Sequence, residues 1–181
     1  MTTLDRAAAE LASVAAAMDE ADLEPTVRAT AEARRVMLYG CGREGLMMRA
    51  LAMRLHHLGL DVCMHGDMTA FPLGPGDLFL CAAGPGALAA ATALTEVAKA
   101  GGARVIVVTA EPDGATARLA DDLLVIPAQT MATDHGGASV LPMGSLFEGA
   151  MFVVFEVLIL RLRDRLGENA DRMRARHTNM E

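Results

Sequence analysis

The chain has 181 residues, a size that suits one domain, and its 52% hydrophobic and 22% charged residues exclude a disordered or collagen-like polymer. A formal charge of −7 disfavours nucleic acid and an anionic membrane as partners, and five Phe, one Tyr and no Trp leave little for stacking bases. Cys41, Cys63 and Cys81 form no CxxC pair and read as reduced thiols, and no basic-then-apolar leader opens the chain, so a cytoplasmic location is expected.

From the start, Leu4, Leu11, Val14 and Met18 recur at helical spacing, and Asp22-Leu23-Glu24-Pro25 begins a second helix with proline near its first turn. Val36-Met37-Leu38-Tyr39 then reads as a buried strand, followed by a glycine turn and a helix from about Gly45 to Leu58 that Gly59 ends. The unit repeats with the strand Val62-Cys63-Met64, a loop holding Pro72 and Pro75, the strand Leu78-Phe79-Leu80-Cys81, the turn Gly84-Pro85-Gly86 and an alanine-rich helix to Ala100. Arg104 to Thr109 is the most strand-like run, and a short helix near Ala115 to Ala120 precedes a last strand, Leu123 to Ile126. Continuous aliphatic strands alternating with helices predict a five-stranded parallel sheet covered on both faces, an α/β three-layer αβα sandwich of flavodoxin-like order.

Gln129 to Met143 is too long for a simple connector, which marks it as a site or an interface. The helix from Ser145 to about Leu166 is apolar around most of its circumference, so a second copy of the chain is expected to cover it in a homo-oligomer. Its apolar core, Gly149 to Leu160, is broken by Glu156 and falls short of the ~20 residues that span a bilayer. The tail from Arg161 alternates arginine with acidic residues, as a solvated face does. One domain over 1–181 is therefore expected, with N-terminal helices over 1–35, sheet and crossover helices over 36–143, and an interface helix and tail over 144–181.

Four constellations could carry chemistry. Gly40-Cys41-Gly42-Arg43-Glu44-Gly45 lies between a strand and a helix and matches GxGxxG, with Asp67 at the end of the next strand, so a dinucleotide-binding Rossmann reading stands beside a plain tight turn. Ala82 to Ala87 forms a second glycine turn that would face the same crevice. Ser145 and Glu148 have the spacing of a capping box, which by itself accounts for both, although a partly desolvated carboxylate is also what proton abstraction beside a carbonyl needs. The histidines, His56, His57, His65, His135 and His177, include no zinc-like spacing, so neither a metal nor another cofactor is expected.

Taken together, Gly40-Cys41-Gly42-Arg43, Arg54-Leu55-His56-His57-Leu58-Gly59, Gly66-Asp67-x-Thr69, Leu141-Pro142-Met143-Gly144-Ser145-x-Phe147-Glu148 and Arg176-His177-x-Asn179 resemble the SIS (sugar isomerase) domain family, and within it the 6-phospho-3-hexuloisomerases. The resemblance implies a homotetrameric or dimeric enzyme that interconverts a ketose phosphate and its isomer through an enediolate without a cofactor. It implies Glu148 as the base, His57 and His177 as acid or orienting groups acting across a subunit boundary, and Arg43 as a ligand contact. Gly42, Glu44, Asp67, Thr69, Gly84, Gly86 and Ser145 complete the substrate-binding set. Two departures stand out. The family's first turn has serine where this chain has Glu44, and the hydroxyls of its second turn give way to Ala83, Pro85 and Ala87 or a close neighbour. Two like charges ~4 Å apart repel by about 4 kcal/mol at an effective dielectric of 20, so a phosphate facing Glu44 is disfavoured. An unphosphorylated ketose is one consequence, a phosphate held near Arg43, Arg49 or Ser139 is a second, and a non-catalytic sugar-sensing domain is a third.

Overall fold

Aliphatic runs bounded by glycine or charge form five strands: β1 (Val36–Gly40), β2 (Val62–Met64), β3 (Leu78–Ala82), β4 (Arg104–Thr109) and β5 (Asp122–Val125). Each lies within one residue of the run that predicts it. The computed structural model describes residues 1–137 and 139–180. Ala138, in the expected loop, and Glu181, at the end of the expected tail, lie outside the described residues. All strand pairs are parallel, in the flavodoxin-like order β2-β1-β3-β4-β5.

The helices are α1 (Thr3–Ala16), α2 (Glu24–Glu32), α3 (Gly42–His57), α4 (Ala89–Ala100), α5 (Ser145–Arg165) and α6 (Ala170–Ala175). α1 opens on a capping box in which the Thr2 hydroxyl accepts the Asp5 N–H and the Asp5 carboxylate accepts the Thr2 N–H. One detail departs from expectation and a second adds to it. The helix near Ala115 to Ala120 is a single 3-10 turn, Ala117–Leu119, too short to cover the sheet. The charged tail folds back as α6, whose N-cap Asn169 accepts the Arg172 N–H at 2.9 Å.

Side chains alternate across the sheet. Val36, Leu38, Leu80, Ile106, Val108 and Leu124 face a large core built with α2, α3 and α5. Met37, Phe79, Cys81, Val105 and Val107 face a smaller one, where Ala91 and Ala98 of α4 pack closely because they are short. At the amino ends of the strands the Asp77 side chain is fully buried and accepts from Arg34 at 2.9 Å and Arg35 at 3.1 Å, which locks that end of the sheet. The carboxyl ends are left for a ligand. Because the strand order reverses between β1 and β3, α3 leaves to one face and α4 to the other, and a crevice opens between their first turns.

α5 lies over the large core, and much of its apolar circumference is covered by its own chain, through α1, α2 and α3. Leu11 of α1 sits so close above Gly149 that an added Cβ there would lie 2.9 Å from Leu11 Cδ2. Phe152, Val153 and Leu160 face outward, at 53%, 41% and 50% exposure. Among the described residues no helix is long and apolar enough to cross a membrane.

Candidate active site

β1 enters α3 with no spare room. A Cβ on Gly45 would stand 2.5 Å from the Gly40 carbonyl oxygen, and one on Gly40 would stand 2.9 Å from the Gly45 nitrogen, so glycine is required at both positions. This close approach accounts for the GxGxxG spacing in steric terms alone. The carboxylate that a dinucleotide reading assigns to the ribose does not face the crevice. Asp67 accepts the Met64 N–H at 3.0 Å and lies 3.9 Å from Arg49, so it closes its own turn, with the exposed Thr69 two residues beyond. Neither residue lines the cavity described next.

The β1–α3 turn, the β3–α4 turn and both ends of the segment between β5 and α5 enclose a cavity of about 440 Å³. It is bordered by the first turns of two long helices, α3 and α5, whose N–H groups and dipoles favour negative charge. Gly42, Arg43 and Glu44 come from α3, and Ser145, Phe147 and Glu148 from α5. Glu148 is only 8% exposed, and its carboxylate pairs with the mostly exposed Arg43 guanidinium.

Glu44 is half-buried beside them, and its Oε2 accepts the Gly84 N–H at 3.0 Å. Burial pushes this carboxyl up to about 7; the Gly84 N–H opposes the rise and the Glu148 charge adds to it. The fit around Gly84 is tight. A Cβ there would meet Glu44 Oε1 at 2.7 Å and Phe147 Cε1 at 2.8 Å.

Two expected residues have other roles. Gly86 does not line the cavity: its carbonyl accepts the Thr116 N–H at 2.9 Å, and a Cβ would stand 2.6 Å from the Glu111 carbonyl oxygen, so it packs one turn on another. The second glycine turn instead offers Pro85 and Leu88 as an apolar wall. Ser145 lines the cavity but is not a cap, because Gly144 (φ 84°) is the N-cap residue, with Met143 (φ 55°) before it, and no side chain caps α5. The Ser145–Glu148 capping box is therefore absent. Glu148 turns to Arg43, and its own N–H donates to the Gly144 carbonyl at 3.1 Å.

His57 and His177 stand together, with ring centroids 5.2 Å apart, in a separate cavity beside Arg54, Met173 and Arg174. They lie at the far end of α3 from Arg43, about 20 Å along the helix axis at ~1.5 Å per residue. One chain alone does not bring them to Glu148. Conversely, Leu88, Thr130, Met131 and Phe147 line the main cavity without having been assigned to it from the sequence, whereas Cys41 and Pro85 belong to the two glycine turns expected to face it. Phe147 stood inside a recognised motif. Thr130 and Met131 were marked only as part of a long segment. Among the described residues no three His, Cys, Asp or Glu side chains converge as a metal site.

The cavity thus lies at the carboxyl ends of β1 and β3, with Glu44 and Glu148 on the first turns of two helices, and the fold and sequence that build it are found in known proteins. The model of the SIS domain matches residues 30–148. The chain is 40% identical over 173 residues to the 3-hexulose-6-phosphate isomerase of Mycobacterium gastri, covering 95% of this chain and 86% of that one. It is 36% identical to the 3-hexulose-6-phosphate isomerase of Methylomonas aminofaciens, covering 82% of each. A crystal structure of a hypothetical protein from Methanococcus jannaschii, from which a molecular function of 3-hexulose-6-phosphate isomerase is inferred, superposes with a TM-score of 0.85 over 98% of both chains. At 22% identity that likeness speaks for the fold. With Arg43, Glu44 and Glu148 all inside the matched span, the chain belongs to the SIS domain family.

Proposed function

We propose that the chain is a cytoplasmic intramolecular isomerase of ketoses or their phosphates, folded as one domain, with Glu148 as the base. The observation that carries this reading is the buried Glu148 carboxylate, held by Arg43 at the mouth of a cavity bordered by two helix N-termini. Removal of a proton from the carbon beside a ketone leaves negative charge on the carbonyl oxygen. Helix N–H groups and the Arg43 guanidinium are suited to receive that charge. The proton then returns to the former carbonyl carbon while the hydroxyl proton passes to the former carbonyl oxygen, so carbonyl and carbinol exchange places. Relatives named as isomerases of a 3-hexulose phosphate support the same chemistry. The test is incorporation of deuterium from D₂O into carbon-bound positions of a ketose incubated with the protein, read by NMR. A sugar that binds without exchange would replace catalysis with sensing.

The same reading includes a homo-oligomer. Leu46 and Met53 of α3 are 56% and 48% exposed, Phe152 and Leu160 of α5 are exposed as well, and the two helices are neighbours bridged by Arg54 and Glu156 at 3.2 Å. A second copy docked there would cover this surface and carry His57 and His177 toward the cavity of its neighbour. Phe152→Glu is expected to shift the protein toward the monomer mass in analytical ultracentrifugation and to lower turnover with it. An unchanged mass would remove this surface from consideration.

A further inference from the structure

We propose that Glu44 is a specificity-determining residue, making the subsite at the β3–α4 turn accept an uncharged, hydroxyl-bearing end of the sugar and reject a phosphate. The inference rests on the isomerase reading of the same cavity. Phosphate is held at such turns by backbone N–H groups and hydroxyls that have no other partner. Here three of the turn's N–H groups are already engaged and one position has none. The Gly84 N–H donates to Glu44 at 3.0 Å, Pro85 has no N–H, the Gly86 N–H donates to the Ala83 carbonyl at 2.8 Å, and the Leu88 N–H donates to the Thr116 hydroxyl at 3.3 Å.

The side chains that could hold a phosphate elsewhere are engaged as well. Arg43 pairs with Glu148, Arg49 lies 3.9 Å from Asp67, and the Ser139 hydroxyl donates to Glu10. A phosphate entering beside Pro85 and Leu88 would face the charge of Glu44, and to recruit one of these side chains it would have to break a pair. A hydroxyl would not, because it can donate to the carboxylate, which holds lone pairs beyond the one that Gly84 uses. Glu44 thus places in the protein the anion that a phosphate would otherwise bring with the ligand.

The experiment is a thermal-shift titration at pH 8 and fixed ionic strength, with D₂O exchange run in parallel on the same samples. The probes are 3-hexulose, D-fructose and D-ribulose, each with and without its terminal phosphate, together with inorganic phosphate. Burial sets the Glu44 carboxyl at about 7, so pH 8 keeps it charged. The free sugars are expected to bind the wild type at least about tenfold more tightly than their phosphates, with the preference reversed in Glu44→Ser. Glu44→Gln, of equal size, is expected to lose the discrimination and serves if the serine variant fails to fold. Equal or tighter binding of the phosphates by the wild type, or no shift with any sugar, overturns the inference. Exchange into phosphorylated sugars alone would overturn it while leaving the isomerase reading intact. Preferential binding of free sugars with no exchange in either series would do the reverse.

Discussion

Glu148→Gln is expected to bind the sugar as the wild type does and to lower the rate of deuterium incorporation by about 10²–10⁴-fold, the usual contribution of a positioned general base. The amide keeps the volume of the carboxylate and an oxygen that can accept from Arg43, so the cavity keeps its shape. What is lost is the capacity to take a proton. Little stability should go with it, because Glu148 caps nothing with its side chain and the Arg43 side chain is already 67% exposed to water. The check is a comparison of ligand-induced melting shifts with exchange rates for both proteins. Exchange within tenfold of the wild type would show that another group moves the proton.

Glu44→Gln is expected to flatten the dependence of stability on pH between about 5 and 8. A carboxyl raised from 4.5 to about 7 binds a proton more readily in the folded chain than in the unfolded one. Its contribution is therefore fully present below 4.5 and lost as pH rises through about 7. At 1.36 kcal/mol per pH unit the loss approaches about 3 kcal/mol, and less to the extent that water reaches the exposed part of the side chain. The variant lacks this slope and should be the more stable protein at pH 8. Urea midpoints at pH 5 and pH 8 measure it directly, and parallel slopes for the two proteins would mean that Glu44 is no more desolvated than an ordinary surface glutamate. Asp77 does not interfere. Its arginine pairs hold it below 3.8, so its contribution is lost only as pH falls through that lower range.

How much of this was legible in the residues depends on distance along the chain. β4 and β2 were readable because aliphatic runs and their bounding glycines are local signals. The start of α5 at Ser145 was readable too, but its cap was not, because the capping-box spacing competes with a tertiary contact. Gly144 lies so close to the 3-10 turn at Met131–Thr133 that a Cβ would stand 2.9 Å from the Met131 nitrogen. The left-handed pair Met143-Gly144 begins the helix there and leaves Ser145 inside it. Of the site, the glycines and Glu148 were visible as motif. The pairing of Arg43 with Glu148 and of Glu44 with Gly84 spans 105 and 40 positions, and no periodicity encodes it. The apolar circumference of α5 was a true signal of burial, but a pattern cannot say whether a second chain or the chain's own α1 provides the cover.

That first helix does more than cover α5. Glu10, near its middle, accepts hydrogen bonds from the Ser139 hydroxyl and, at 3.1 Å, from the Val140 N–H, just before the Pro142–Gly144 wall of the cavity. The wall is therefore fastened at one point to a helix that begins at the third residue of the chain. Seating α1 on α5 and setting the width of the sugar's entrance become one event. Part of the free energy of docking the amino terminus is spent on holding the pocket in shape before any ligand arrives.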